Sequence, residues 1–495
     1  MKKNFYQLIL LISIFAVGCT TEQLPGVSPY SGETQLIAFG FLKANNPILD
    51  KDYQSSFDGQ TINIEVPKGV DLKALVPTFK VSDNATLMLA NVEVKSDETS
   101  VDFSQSLSFT VVAQNKKVAK YYSSVLLVGV TQDFQANSKT SYNNYIKNNL
   151  YIDFSTAIKK TALNVSYYED AYNARAYADF DKDGDMDIIG GASNNYGTAS
   201  LELEYFRNDI FEFKKDQTVF SNGVPKMLNA RKAIIVDLDK NGWLDVVFAG
   251  SGFDKSPYAG ETVKVLMNFN GKFSAKDLTA GKGYFASVTA GDIDNDGDVD
   301  LFVTDNKAIS KFFINDGAGN FKEDLAIYPS DLWGKAYFTS ELYDINADGY
   351  LDLVTGGHEH NGASTIILLG NASGNFMSSR MVTVPGVSGF GVVIDVDFID
   401  YDKDGKTDVL ITRTGDGKLE QGYYKGYYLQ LLKNTGTAFE DVSKTALTEN
   451  ANQAARWVNL VRVHDVDNDG DLDITTDDQF YRLSWTNNNG TFSKN

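Results

Sequence analysis

At 495 residues, with 43% hydrophobic and 12% aromatic content, the chain exceeds one ordinary domain and holds enough apolar residues to bury at least two cores, which excludes a disordered polymer. Its 65 acidic against 45 basic residues give a formal charge of −20, which argues against nucleic acid as a partner, since that ligand asks for basic faces. A single cysteine, Cys19, leaves no intrachain disulfide to staple the fold.

The chain opens on Met1, Lys2 and Lys3, followed by an apolar run of ten residues from Leu8 to Val17. That run is too short to span a bilayer comfortably, and residues 1–18 read as a signal peptide. Ala16, Val17 and Gly18 ahead of Cys19 resemble a bacterial lipoprotein processing site. The resemblance implies lipidation of Cys19 and an outer-membrane anchor, facing the cell surface or the periplasm; an ordinary leader with an incidental cysteine is the alternative. Residues 19–34, rich in Thr, Pro, Gly and Ser, read as a tether.

Between 35 and 130 short alternating runs such as Ile62-Asn63-Ile64-Glu65-Val66 are punctuated by turn signals at Asn46-Pro47, Asp58-Gly59 and Asn115-Lys116. Six or seven strands without helical period predict a β-sandwich. The segment also resembles the immunoglobulin-like domains that follow the lipid anchor in Bacteroidota outer-membrane lipoproteins, through Ile37, Phe39, Phe41, Phe57-Asp58-Gly59, Leu75-Val76-Pro77 and Phe109-Thr110-Val111. That resemblance implies a spacer or presentation module. Residues 131–150, rich in Asn, Ser, Lys and Tyr, read as a linker.

From 151 to 495 a nine-residue phrase recurs six times, starting at 179, 237, 292, 344, 400 and 465. Side-chain oxygens stand at positions 1, 3, 5 and 9: Asp179, Asp181, Asp183 and Asp187; Asp237, Asp239, Asn241 and Asp245; Asp292, Asp294, Asp296 and Asp300; Asp344, Asn346, Asp348 and Asp352; Asp400, Asp402, Asp404 and Asp408; Asp465, Asp467, Asp469 and Asp473. Position 6 is Gly throughout, which permits a sharp reversal. Position 7 varies freely (Asp185, Trp243, Asp298, Tyr350, Lys406, Asp471), as expected if its backbone carbonyl is the ligand. An all-oxygen shell suits Ca2+, up to six ions, and the absence of Cys and His from it argues against zinc or copper. Clusters of Asp, Asn and Gly also make plain turns. Without a cation, however, four carboxylates a few Å apart would repel by several kcal/mol at an effective dielectric of about 20. An EF-hand is excluded, because position 12 is not acidic and strands, not helices, follow the loop.

The phrases recur every 52 to 65 residues, and each unit closes on an Asn/Gly-then-Phe ending such as Asn268 to Phe273 or Asn434 to Phe439. Together these features resemble the integrin-type FG-GAP and VCBS calcium-binding repeats, which implies an all-β chain with the sandwich followed by a β-propeller. Six blades follow from the period, with seven open if residues 134–160 supply more than one strand. The C-terminal residues after Thr491 look too short for a fourth strand, so residues 151–155 are expected to complete the last blade. Asn241 and Asn346 each remove a charge, so their two sites are expected to bind calcium most weakly.

Ligands of related propellers bind at the end opposite the metal loops. There the connections carry Tyr196, Phe253, Tyr258, Trp333, Phe390, Tyr423, Tyr424, Arg456 and Trp457, rings that suit sugar faces or a protein partner, or simple blade packing. His358 and His360 form half a transition-metal site or surface polarity. No nucleophile elbow, zincin helix or acid/base pair stands apart from the Asp loops, so no catalytic residue is assigned. The leading reading is a surface lipoprotein that binds a glycan or a surface protein; a polysaccharide-degrading enzyme and a structural envelope subunit are the alternatives.

Overall fold

The computed structural model of the protein describes residues 31–49, 52–67, 70–128, 172–183, 187–192, 199–209, 212–253, 256, 258–415, 425–465, 469–476 and 483–494. The leader, Cys19, the expected linker and residues 151–155 lie outside them. Every sheet among these residues is mainly antiparallel, and the chain is all-β.

The N-terminal strands form two sheets over one core. Leu36–Phe41 lies between Tyr53–Gln54 and Thr78–Val81, while six strands from Ser56–Asp58 to Val92–Val94 make the second sheet. In that sheet Thr61–Pro67 runs parallel to Val118–Val128. The alternation read from the sequence holds: Ile62, Ile64 and Val66 are all buried. They meet Phe39, Phe41, Phe103 and Phe109, with Phe41 and Phe103 edge to face at 4.9 Å. One hairpin escaped the sequence reading. Ala90 and Asn91 both adopt positive φ, as a two-residue turn requires between Thr86–Leu89 and Val92–Val94.

Six sheets follow, five of four strands and the fifth of five, where Ala451–Arg456 also pairs with Lys425–Asn434; in each the first four strands run in chain order. In the second, Ala230–Val236, Asp245–Gly250, Lys264–Phe269 and Lys272–Asp277 succeed one another. Its second strand is buried along its whole length, which is why Val246-Val247-Phe248 is a continuous apolar run. The outer strand alternates and carries charge, with Lys264 paired to Asp277, as suits an edge that must not recruit another chain. The expected C-terminal shortfall is corrected by the structure: Phe492–Lys494 is a three-residue fourth strand that pairs with Ser484–Asn487. Three residues suffice because Phe492 buries its ring fully in the core shared by the fifth and sixth sheets.

The apolar cores lie between successive sheets, five interfaces from first-to-second through fifth-to-sixth. The first strands of neighbouring sheets pack side by side. A single amine joins three of them: Lys232 in the second sheet bonds Ser287 Oγ of the third at 3.2 Å, the Ser340 carbonyl of the fourth at 3.1 Å, and the Glu341 carboxylate.

Each first strand of the first five sheets also carries a bulge at its start, between Tyr172 and Ala174, Ala230 and Lys232, Phe285 and Ser287, Tyr337 and Thr339, and Val393 and Asp395. A bulge re-aims one side chain. The residues so re-aimed in the second to fifth sheets are Arg231, Ala286, Phe338 and Ile394.

Candidate functional site

The Asp phrase forms the first-to-second-strand loop of each sheet. In the second loop Asp237 Oδ1 accepts from the N–H of Asn241 and Asp237 Oδ2 from that of Gly242, at 3.1 and 2.8 Å, so position 1 draws the loop into a ring. Asp344 and Asp400 do the same in their loops. Gly242, Gly297, Gly349, Gly405 and Gly470 have φ between 81° and 90°, which answers the expectation for position 6. Position 4 is also left-handed, at Lys182, Lys240, Asn295, Ala347 and Lys403, and no residue type at that position announced it.

Position 9 opens the second strand and is buried in every described loop. Asp245 Oδ2 accepts from the position-2 N–H of Leu238 at 2.8 Å, and Oδ1 from the N–H of Asn268 at the end of the third strand. The pattern returns at Asp187, Asp300, Asp352 and Asp408. Burial pushes all five of these carboxyls up to about 7, against the pull of those N–H donors, and the neighbouring Asp carboxylates push the same way.

Carboxylate oxygens converge to within 4.8 Å of one another in four loops: Asp179, Asp181 and Asp187; Asp237, Asp239 and Asp245; Asp292, Asp294 and Asp300; Asp400, Asp402 and Asp404. At that spacing two full charges repel by about 3–4 kcal/mol at an effective dielectric of 20. Asp292 Oδ1 and Asp402 Oδ1 are buried and have no hydrogen-bond partner. Three hard oxygens and an unsatisfied lone pair fit a divalent cation of the calcium type. Asp185 and Asp467 lie outside the described residues, so their loops are incomplete.

Two loops hold their oxygens differently. Asn346 donates through Nδ2 to Asp348 Oδ2 at 3.2 Å, and Asn241 to Asp239 Oδ2 at 3.0 Å, so each amide occupies a neighbouring carboxylate. In the fifth loop Lys433 reaches in from the third strand to Asp402 and Asp404, while Lys406 bonds Asp404 at 3.0 Å. Desolvation acts upward on Asp404, but these lysines hold its carboxyl below the usual range. The spacing of the phrase gave no sign of Lys433.

Position 7 has a role in side-chain terms that the sequence reading left blank. The position-4 lysine of one loop meets the position-7 residue of the next: Lys182 lies over the Trp243 ring at 4.2 Å, Lys240 pairs with Asp298, and Lys403 pairs with Asp471.

The opposite end of the sheets gathers the second-to-third loops and the connections between sheets. Ala286, Phe338, Val392 and Ile394 pack there with Trp457. Arg231 lays its guanidinium 4.8 Å from the Phe338 ring centre, and the His358 ring lies 6.0 Å from the same ring. His358 and His360 do not lie on a strand. A single 3-10 turn, Glu359–Asn361, brings the two rings to 5.8 Å, and burial with the adjacent His360 and Arg231 pushes His358 down to about 4.

Of the candidate ligand residues, Tyr258 is exposed, Trp333 is at the margin of exposure with its Nε1 donating to the Tyr328 carbonyl at 3.3 Å, and Arg456 and Trp457 are half-buried. Phe253 and Phe390 are corrected: both are buried, Phe253 in its own loop and Phe390 against Tyr428 at 5.5 Å, because the loops fold back over the sheet ends. Tyr196, Tyr423 and Tyr424 lie outside the described residues. The bulged residues Arg231 and Phe338 were missed, since a bulge leaves no composition signal.

Residues 49–125 match the family described as SGBP, N-terminal, and residues 237–303, 292–355 and 344–411 match the FG-GAP-like repeat. No curated protein matches the chain. Similar solved structures include a DUF4623 family protein from Bacteroides eggerthii, 15% identical over 94% of this chain and 99% of that one, with a TM-score of 0.33. The exotype rhamnogalacturonan lyase YesX is 12% identical over 88% and 73% of the two chains, and a Bacillus licheniformis rhamnogalacturonan lyase 10% identical over 94% and 76%, both with a TM-score of 0.38. The chain therefore joins an SGBP-type N-terminal segment to an array of FG-GAP-like repeats.

Proposed function

We propose that the protein is a surface glycan-binding lipoprotein. In this reading lipidated Cys19 anchors it in the outer membrane, the N-terminal sandwich acts as an immunoglobulin-like spacer, and the six sheets close into a propeller whose loop face binds saccharide. The observation that carries the reading is the match of residues 49–125 to the SGBP family, the surface glycan-binding proteins of Bacteroidota. Among the described residues no helix is long and apolar enough to cross a membrane.

Radial closure is supported by Lys232, which bonds groups from the third and fourth sheets, and by Arg231, which lies over a ring two sheets away. Around an axis such cross-contacts converge; along an open row they would not. Calcium in the Asp loops is supported by the converging carboxylates and the orphaned Asp292 and Asp402 oxygens. When bound, the ion would neutralise the loops and fix the ends of the first two strands of each sheet, held by side-chain oxygens at positions 1, 3, 5 and 9, which are Asp except at Asn241 and Asn346. The test is a glycan array probed with the calcium-loaded chain. Retention of a defined glycan class is expected, and a blank array across plant, host and microbial polysaccharides defeats the reading.

A further inference from the structure

Two cations on the loop face are held by aromatic rings where carboxylates would be the usual partners. Arg231 lies over Phe338, and Lys307 has its amine 3.4 Å from the ring centre of Tyr284 and 5.1 Å from that of Tyr258. Neither makes an ion pair among the described residues, in a chain of 65 acidic residues whose other lysines so often find one, as at Lys232, Lys264 and Lys311. A cation parked on a ring keeps its hydrogen-bond donors directed outward, ready for an anion.

Tyr258 is itself placed at a cost. It is a non-glycine residue at φ 55°, with 55% of its surface exposed, and the Tyr284 hydroxyl donates to its carbonyl at 2.5 Å to hold it there. A strained backbone that presents an aromatic ring to solvent does nothing for the core, and such strain collects at ligand clamps. The two cation–ring pairs share the end of the sheets at which the third sheet's first strand begins. Tyr284 leads into the strand that carries Ala286 of the Phe338 cluster, two residues or roughly 7 Å further along an extended chain.

We propose that this face takes an anionic saccharide, with Arg231 and Lys307 binding its carboxylate or sulfate groups and Tyr258 stacking on a sugar ring. The inference rests on the glycan-binding reading and names the class of glycan. It also explains how a strongly acidic protein can hold an acidic polymer: the Asp loops lie at the far end of the sheets, and the face that meets the ligand carries the unpaired cations.

The test is calorimetric titration of the full calcium-loaded chain with short oligogalacturonides, with heparin fragments and with neutral malto- and cello-oligosaccharides. The first two probes separate a ring carboxylate from a sulfate ester. At least one of them is expected to bind, with an affinity that falls as salt rises. Arg231→Gln and Lys307→Met should each weaken it about tenfold, as loss of one charged hydrogen bond does. Tyr258→Ala should weaken it too, and unchanged melting temperatures would show the variants folded. Binding of neutral sugars alone, or anionic binding that survives in the Arg231→Gln/Lys307→Met double variant, overturns this inference and leaves the glycan-binding reading standing. Failure to bind any saccharide overturns both.

Discussion

The side-chain amide of Asn268 donates to the main-chain carbonyl of Phe180, 2.9 Å away and 88 residues earlier in the chain. The same amide reaches the Leu244 carbonyl in its own loop. Asn315 bonds Leu238, Asn434 bonds Ile345, and Asn487 bonds Tyr401 in the same sense, each tying its sheet to the loop of the one before. Since position 9 of the loop holds the N–H of the same asparagine, the Asp phrase and the Asn ending are two halves of one device.

Asn434→Ala should therefore destabilise the protein by about 1–3 kcal/mol, because it leaves the Ile345 and Thr407 carbonyls unsatisfied. Urea denaturation measures it. At the fourth sheet Gly370 takes the asparagine's place, and a Cβ there would lie 2.1 Å from the Leu351 carbonyl. Gly370→Asn is accordingly expected to destabilise, not to restore the missing tie.

Calcium should raise the melting temperature and EDTA should lower it. At a tenfold excess over the dissociation constant each site contributes about 1.4 kcal/mol, so six would contribute up to about 8 kcal/mol. An identical melt in calcium and in EDTA would refute the assignment of the loops to a metal.

Lys433→Met should strengthen calcium binding, since the lysine competes for Asp402 and Asp404 in the fifth loop. Titration calorimetry of the variant against the parent chain reads it. A weaker fifth site in the variant would mean that Lys433 orders the loop for the ion.

In EDTA, stability should fall as pH rises. The position-9 carboxyls titrate at about 7 in the folded state and near 3.9 unfolded, so between those values the folded chain binds more protons. Their contribution is complete below about pH 4 and is lost as pH climbs through 7. Calcium, which needs the ionised form, should flatten or reverse that slope. Thermal melts at pH 5 and 8, with and without the ion, test the sign.

Arg413 has its side chain fully buried and donates to Glu359 at 2.8 Å, to Gln430 at 2.8 Å and to Thr365 at 3.3 Å, which joins the fourth and fifth sheets. Arg413→Met should cost about 3–5 kcal/mol by stranding the Glu359 carboxylate, and Glu359→Gln in the same chain should recover part of it. Chemical denaturation of the three variants decides this.

The strands and loops were legible where the physics is local. Position 6 had to be glycine, and Val246-Val247-Phe248 had to be interior, so both could be read from the residues alone. The loop face was far less legible. Ala286, Phe338 and Ile394 read as ordinary apolar strand residues and Arg231 as a lone cation, and only the bulges place the four at equivalent positions. Phe253 and Phe390 looked like ligand aromatics because a loop position tells nothing of how far the loop folds back. Lys433 went unseen for the same reason: it lies 31 residues from Asp402 and meets it through the sheet.

The asparagine ties also give the array a direction. The second, third, fifth and sixth units carry the donor at the end of the third strand, and the predecessor of each supplies the acceptor at position 2 of its loop. A whole tied repeat could thus be gained or lost by duplication or deletion with its junctions still matched, whereas a cut made partway through a unit would orphan both of its neighbours. Growth by complete modules is the evolutionary path such a chain leaves open.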